Sequence, residues 1–309
     1  MKSNDRMKFE KAFFVLPLSL IFLLACNTAS KAVKSQISAD EIYKLIENGR
    51  NIYIQDAKIS GDLDLTMLSE KTPVRTNENK VLIRPAIAFK NCRFLGAITG
   101  YRTDAAVNEN SCIFQNPVYF NFCIFDKNVN FKNAVFQNSC IISGCTFNKD
   151  IIFDNCQMIG DFDLANCKVS GISNFQNAYF NQKSNFFKTI FDSTCLFQSG
   201  FYNSTTQFND VTFSKYTDFS LSIFNSRIFF NYTKFNGNNL FNNCSFRDLV
   251  EFNYANFNTA VFDRSSFNQE SKFNEIGVKI KLDLSTSKFL NARPFISNNP
   301  DSVSKKIIL

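Results

Sequence analysis

The sequence GISNFQNAYFNQKSNFFKTIFDSTCLFQSGFY, residues 171–202, decides the fold of this chain. Large apolar side chains recur in it at alternating steps of five and six residues, and we call these positions anchors: Phe175, Phe180, Phe186, Phe191, Phe197 and Tyr202. The same alternation runs from Phe114 to Phe295, and most of its anchors are Phe. One step is a residue short, from Phe257 to Phe262, and we predict a tightened corner there with both anchors still inward. A fixed period sustained over this length indicates a solenoid of stacked repeats.

A second register of small side chains accompanies the anchors. Two residues before each anchor of the quoted stretch lies a small residue: Ser173, Ala178, Ser184, Thr189, Cys195 and Gly200. Side chains two residues apart point the same way in a strand, so each pair predicts a short strand with one face inward. On a helix of 3.6 residues per turn the anchors would drift around the axis. The pattern therefore predicts short strands separated by corners.

These residues resemble the pentapeptide-repeat family, whose units read small, Asp or Asn, Leu or Phe, and two further residues. The resemblance implies a right-handed, four-sided parallel β-helix with the anchors and small residues inside. Alternating steps of five and six give 22 residues per coil, more than the family's usual 20. The residue between small position and anchor is also rarely Asp or Asn, as Val135, Tyr179 and Ile190 show. We predict an all-β solenoid of about ten coils over residues 51–295.

The first 25 residues have the pattern of an export signal. Basic side chains at the start precede the apolar run Ala12–Ala25, which is too short to span a bilayer. The run ends in Leu23-Leu24-Ala25-Cys26, which resembles the lipobox of bacterial lipoproteins. In that family the cysteine becomes the first residue and carries acyl chains, so we predict lipidation of Cys26. The alternative is an ordinary signal peptide with an incidental cysteine.

Residues 26–37 are predicted to be a lipidated tether, and residues 38–50 a helix that covers the open end of the solenoid. Ser38 and Glu41 have the spacing of a capping box, apolar residues follow at helical spacing, and Gly49 is a stop signal. A bare solenoid end exposes unpaired strand edges and invites aggregation. Residues 296–309 lack the repeat and are predicted to be a flexible tail.

Two insertions interrupt the repeat, at residues 66–80 and 101–110. Counting anchors, the two loops leave the same corner in adjacent coils. Insertions tolerated at a surface are the ordinary explanation; a binding patch is the alternative. The residues of this patch that we single out as interaction candidates are Lys71, Arg75, Asn77, Glu78, Tyr101, Arg102 and Asp104.

Cysteine is abundant, but its placement does not indicate disulfides or a metal site. Apart from Cys26, every cysteine lies two residues before an anchor, the position reserved for small inward side chains. Export would permit disulfides, and Cys123, Cys145 and Cys167 stack at coil spacing. We nevertheless predict buried free thiols that act as small apolar residues. With no His and no paired-cysteine spacing, no zinc site is expected.

The sequence offers little to catalysis. The chain contains no His for acid–base chemistry near neutral pH, and it has no glycine-rich phosphate loop. Its closest pair of carboxylates, Asp161 and Asp163, would share one face of a strand while Phe162 points the other way. We therefore predict no enzyme, no cofactor and no metal. A carbohydrate-active β-helix enzyme is the alternative.

The charge of the chain helps to choose between two remaining functions, a mimic of DNA and a binding module of the cell envelope. The net charge is +7, and the region 112–275 is close to neutral. Some pentapeptide-repeat proteins inhibit DNA gyrase as acidic mimics of DNA, but a near-neutral exported rod argues against that function and against a nucleic-acid partner. We predict a lipid-anchored, non-catalytic module of the bacterial cell envelope that binds another envelope protein or a glycan. The absence of Asp after Cys26 favours the outer over the inner membrane, and the C-terminal coil offers a surface for a homodimer.

Overall fold

The structure, a computed structural model, describes residues 36–291, 294–298 and 307–309. These residues form an all-β parallel solenoid of about 12 turns with about 22 residues per coil, and one short helix lies near its start. The sequence prediction of the fold is confirmed. Each complete coil contributes four short strands, which we assign to faces 1 to 4 in chain order.

Strands of like position pair in parallel from coil to coil, so each face is a ladder along the solenoid axis. Face 1 contains Ile52–Gln55, Ile87–Lys90, Val118–Asn121, Cys140–Ser143, Phe162–Asp163, Ser184–Asn185, Thr206–Gln207, Ile228–Phe229, Val250–Glu251 and Phe295–Asn298. Face 2 contains Gln36–Ser38, Lys58–Ser60, Arg93–Phe94, Ile124–Phe125, Thr146–Phe147, Lys168–Val169, Ile190–Phe191 and Thr212–Phe213.

Face 3 contains Leu63–Asp64, Ile98–Thr99, Val129–Asn130, Ile151–Ile152, Ser173–Asn174, Cys195–Leu196, Thr217–Asp218 and Ile307–Ile308. Face 4 contains Glu78–Ile83, Glu109–Phe114, Val135–Phe136, Gln157–Met158, Tyr179–Phe180, Phe201–Tyr202, Ile223–Phe224, Ser245–Phe246, Ser266–Phe267 and Lys288–Phe289. Three longer strands, Lys234–Leu240, Asn256–Val261 and Ser271–Asp283, cross corners between faces.

The anchors fill the interior as stacks of rings. In one column Phe186, Phe208, Phe230 and Phe252 are almost fully buried, and successive ring centroids are 4.5, 5.0 and 4.8 Å apart. The spacing of these rings follows the spacing of hydrogen-bonded strands. All nine cysteines of the described residues are buried and free. Burial raises the pKa of thiols such as Cys140 and Cys195, which keeps them protonated.

The alternation of five and six residues has a backbone cause. Between Phe120 and Val278 each five-residue step except that from Phe257 to Phe262 turns through one residue with positive φ, whereas the six-residue steps have none. Asn fills many of these left-handed corners, as at Asn133, Asn155, Asn166, Asn177 and Asn243. Asn tolerates this conformation better than most residues because its short polar side chain bonds locally. The five-residue corners are thus tight turns, and the six-residue corners need no special conformation.

Asp and Asn between small residue and anchor occur where they support a tight corner. Asn174 accepts a hydrogen bond from the amide of Gln176 at 3.0 Å, and Asn185 accepts one from Phe187 at 3.1 Å. Asn174 lies on face 3 and Asn185 on face 1, and these are the two faces that precede the left-handed corners. The family's Asp or Asn is therefore retained where a side chain must satisfy a corner amide.

One coil is a residue short, between Phe257 and Phe262. Both anchors stay buried, as predicted, and the strand Asn256–Val261 runs straight through the corner without a left-handed residue. The register shifts on both sides of this strand, so neighbouring coils bulge to match it. At the adjacent bulge a Cβ on Gly237 would lie 2.1 Å from the Lys215 carbonyl oxygen, and only glycine fits there.

The helix Ala39–Glu47 covers the first coil with Ala39, Ile42 and Ile46 buried, and Ser38 and Glu41 form the expected capping box. It is shorter than the predicted 38–50. Strand Gln36–Ser38 pairs with Lys58–Ser60 and begins within the predicted tether. At the other end, Phe295–Asn298 and Ile307–Ile308 pair with Ser271–Asp283, and all of their residues except Phe295 belong to the predicted tail. These end strands explain why the solenoid exceeds ten coils. Among the described residues no helix is long and apolar enough to cross a bilayer.

Candidate functional site

The two insertions fold into antiparallel hairpins rather than irregular loops. In the first, Lys71–Arg75 pairs with Glu78–Ile83 around a turn at Asn77, whose φ is +63°. In the second, Tyr101–Thr103 pairs with Glu109–Phe114. Both hairpins extend a face 4 strand outward, as expected for insertions that leave one corner in adjacent coils.

The hairpins join into one sheet. Glu78–Ile83 and Glu109–Phe114 pair in parallel over their whole length, so the outer strands flank a continuous four-stranded unit. We call its projecting part, residues 71–80 and 101–111, the ledge. Polar side chains interlock its halves: Asn79 donates to Asn110 at 3.2 Å, and Lys80 donates to Ser111 at 2.7 Å.

The predicted candidates occupy two regions of the ledge. Lys71, Arg102 and Asp104 line one cavity of about 240 Å³, together with Thr66, Met67, Thr103, Ala105 and Asn110. Arg75, Asn77 and Glu78 lie at the tip of the first hairpin instead. Within the cavity Arg102 pairs with Asp64 at 3.1 Å, which ties the ledge to the first coil.

Two of the candidates have evident structural roles. The Asp104 carboxylate accepts hydrogen bonds from the amides of Asn108 and Ala106, each at 2.9 Å, and so shapes its own loop. The Asn108 amide bond contributes most to lowering the pKa of Asp104 below its ordinary 3.8. Glu78 pairs with Lys80 at 3.3 Å.

Tyr101 packs against the solenoid through its ring. The Lys132 ammonium lies 5.1 Å from the ring centroid, within the range of a cation–π contact. The ledge is therefore held to the solenoid through side chains as well as through its strands.

Exposed apolar side chains on and beside the ledge are the feature that the sequence analysis missed. Met67 is 59% exposed, Val74 is 54% exposed and Val107 is 66% exposed. Val107 also adopts φ of +63°, an unfavourable conformation for a β-branched residue. The sequence signal for these residues was their apolar character within otherwise polar insertions. Their exposure could be determined only from the folded hairpins.

The remaining sequence candidates fall elsewhere. Cys26 lies outside the described residues. Phe162 points inward and is buried, and Asp163 accepts bonds from the Ala165 amide and from Asn185 at 2.7 and 2.9 Å. Burial raises the pKa of Asp163. Within the described ranges no group of three His, Cys, Asp or Glu residues could hold a metal ion.

The four-stranded coil, the paired small and anchor positions and the tight Asn corners define a β-solenoid of pentapeptide type. A family model described as pentapeptide repeats, in nine copies, matches residues 110–157. The same strand register continues on both sides of that stretch, and residues 110–157 carry pentapeptide repeats. Such solenoids are generally non-enzymatic scaffolds for protein interaction. No curated protein matches the chain.

Proposed function

We propose that this protein is a lipid-anchored binding module of the bacterial cell envelope, and that the ledge is its contact surface for an envelope protein. The observation that carries the proposal is the ledge itself. Two insertions from adjacent coils build one interlocked sheet, and the regular solenoid requires neither of them. The anchor rests on the sequence Leu23-Leu24-Ala25-Cys26.

The chemistry of the ledge supports a protein partner. Its outer strand Lys71–Arg75 is exposed throughout, and Pro73 interrupts the row of amides that could pair with another strand. Added strands are thus disfavoured, whereas side-chain contacts are available. Met67, Val74 and Val107 supply exposed apolar area beside the cations Lys71 and Arg102, a composition suited to interfaces.

The experiment compares cross-linked partners of the full-length chain with those of the triple variant Met67→Gln, Val74→Thr, Val107→Asn. Gln keeps the side-chain size of Met67, Thr keeps the strand preference of Val74, and Asn tolerates the left-handed conformation of residue 107. The ledge should therefore still fold. We expect the variant to lose the main cross-linked protein. A matched control is Leu221→Asn, an exposed left-handed corner residue away from the ledge.

An unchanged set of cross-linked proteins in the triple variant would contradict a role for the ledge. Loss of a glycan adduct rather than a protein adduct would identify the partner as a glycan. The anchoring part of the proposal has its own test, described in the Discussion.

A further inference from the structure

Exposed apolar side chains of the solenoid concentrate on face 2 and its two corners. This group includes Leu95, Phe122, Ile124, Ile172, Ile190 and Tyr232. Ile124 and Ile190 lie in the central outward ladder of the face, and the strand register aligns them with Arg93, Lys168 and Lys234. Apolar and basic residues therefore share one flat strip.

Most of the described cations of this face form no ion pair. Lys58, Lys127, Lys149, Lys215 and Lys234 are exposed, and none of them has an ion-pair partner among the residues that the structure describes. Several carboxylates on the face are already engaged. Asp126 pairs with Arg93 at 2.9 Å, and Asp192 pairs with Lys168 at 3.3 Å.

Backbone conformation gives an independent indication that the apolar residues are functional. Phe122 and Tyr232 occupy left-handed corners, where Asn91 and Asn166 stand in the same corner of other coils. A bulky residue in that conformation is unfavourable, and Phe122 is also 60% exposed. The Phe122 ring packs over Gly144, where a Cβ would lie 2.6 Å from it, but most of its surface remains in water. Strained, exposed apolar residues are typical of contact surfaces.

Face 4 provides the contrast within the same molecule. Its central outward ladder runs through Ile113, Val135, Tyr179, Phe201 and Ile223 and contains no charged residue over that length. Apart from the exposed Gln157, that ladder is half-buried and apolar, but it lacks the cations. Face 2 combines exposed apolar side chains with free ammonium groups.

We propose that face 2 is a membrane-contacting surface that lies on a bilayer containing anionic lipids. The lysines from Lys58 to Lys234 are spread over seven coil steps, roughly 34 Å at about 4.8 Å per step. A fluid sheet of anionic headgroups matches such a dispersed array, and exposed Ile, Phe and Tyr insert at the headgroup level. This contact goes beyond the proposed function, because it does not require the lipid anchor or the ledge.

The test uses the mature chain, residues 26–309, with Cys26→Ser so that no acyl chain is present. Sedimentation measures its binding to vesicles of phosphatidylcholine alone and of phosphatidylcholine with phosphatidylglycerol. We expect binding to the anionic vesicles only. The variant Lys58→Ser, Lys149→Ser, Lys234→Ser should bind at least about tenfold more weakly, given the contribution of each lysine near an anionic surface.

Two matched controls keep the test specific. The charge control Arg50→Ser, Arg227→Ser, Lys288→Ser removes as many exposed cations from outside face 2 and should bind as the parent does. Ile124→Ser with Ile190→Ser should weaken the binding that persists at high salt, whereas Ile113→Ser with Ile223→Ser on face 4 should not. Circular dichroism of each variant confirms that the solenoid is folded.

Absence of binding by the folded parent chain would overturn the proposal, as would equal losses in the face 2 variants and their controls. Loss of a cross-linked protein from face 2 variants, without vesicle binding by the parent, would assign the face to a protein partner and also overturn it. Because the chain carries no lipid, none of these results bears on anchoring through Cys26.

Discussion

Tyr202 is an exception in a core made of Phe. Its ring stacks between Phe180 and Phe224, and its hydroxyl is buried without a hydrogen-bond partner among the described residues. Gly200 leaves room for that hydroxyl, since a Cβ there would lie 3.1 Å from the oxygen and 2.8 Å from the ring. Burial also raises the pKa of Tyr202 strongly, so the hydroxyl stays protonated.

Tyr202→Phe should therefore stabilise the solenoid. Removing an unsatisfied buried hydroxyl is expected to raise the free energy of unfolding by about 1–3 kcal/mol, measured by urea denaturation. The matched change Tyr179→Phe removes a hydroxyl that donates to Asn181 at 3.0 Å and should have the opposite sign. Destabilisation by Tyr202→Phe would show that the hydroxyl has a partner after all.

Two phenylalanines in adjacent coils test which positions point inward and which point outward. Phe208 is fully buried in the ring column, whereas Phe187 lies one place off the anchors and is only half-buried. Phe208→Ala should cost about 3–5 kcal/mol of unfolding free energy, and Phe187→Ala much less. Thermal and urea unfolding of both variants measure the difference. Equal losses would mean that the register is wrong.

At the scale of single elements, the bulged corner at Gly237 depends on a close approach of two backbones. A methyl group at this position would meet the Lys215 carbonyl, so Gly237→Ala must push two coils apart. We expect a loss of about 1–3 kcal/mol in unfolding free energy, as for other overpacked sites. Ser193→Ala, in the same corner of an earlier coil, is the control and should be near neutral. A neutral Gly237→Ala would refute the close approach.

The second hairpin of the ledge should respond to acid. Hydrogen bonds, above all from the Asn108 amide, lower the pKa of Asp104 in the folded chain, so the carboxylate stabilises the loop fully above its ordinary pKa of 3.8. That stabilisation is lost as pH falls through the lower folded value. Amide chemical shifts of Ala106 and Asn108 should titrate together below pH 3.8.

The variant Asp104→Asn supplies the control for this titration. It keeps an oxygen acceptor but has no carboxyl, so the same amide shifts should not move with pH over that range. A midpoint at or above 3.8 in the parent chain would show that the loop bonds do not form.

At the scale of the whole molecule, membrane attachment is predicted to depend on Cys26. Bacterial lipoproteins carry at least two acyl chains, enough for stable anchoring, whereas one chain gives marginal binding. Cys26→Ser should leave the precursor unprocessed by the lipoprotein signal peptidase and without lipid. Metabolic labelling with a palmitate analogue and detergent partitioning measure both effects. An unlabelled, mature wild-type chain in the aqueous phase would leave a secreted solenoid instead.

The solenoid was predictable because its information is local and repeated. An inward pair in each short strand, such as Ser173 and Phe175, specifies one strand and one face, and the five–six alternation specifies the corners. The helix start at Ser38 and the shortened step after Phe257 were readable for the same reason. Errors fell at the two ends, where strands Gln36–Ser38 and Ile307–Ile308 lie outside the repeat and gain their structure from pairing.

The candidate surfaces depended on contacts between residues far apart in the chain. The sequence indicated that insertions 66–80 and 101–110 leave one corner, but not that they form hairpins joined through Asn79 and Asn110. The exposure of Val74 and Val107, and the gathering of Lys58, Ile124 and Lys234 on one face, appear only when coils are stacked in register. Periodicity along the chain decides which side chains point outward, whereas the stacking of coils decides which outward side chains become neighbours.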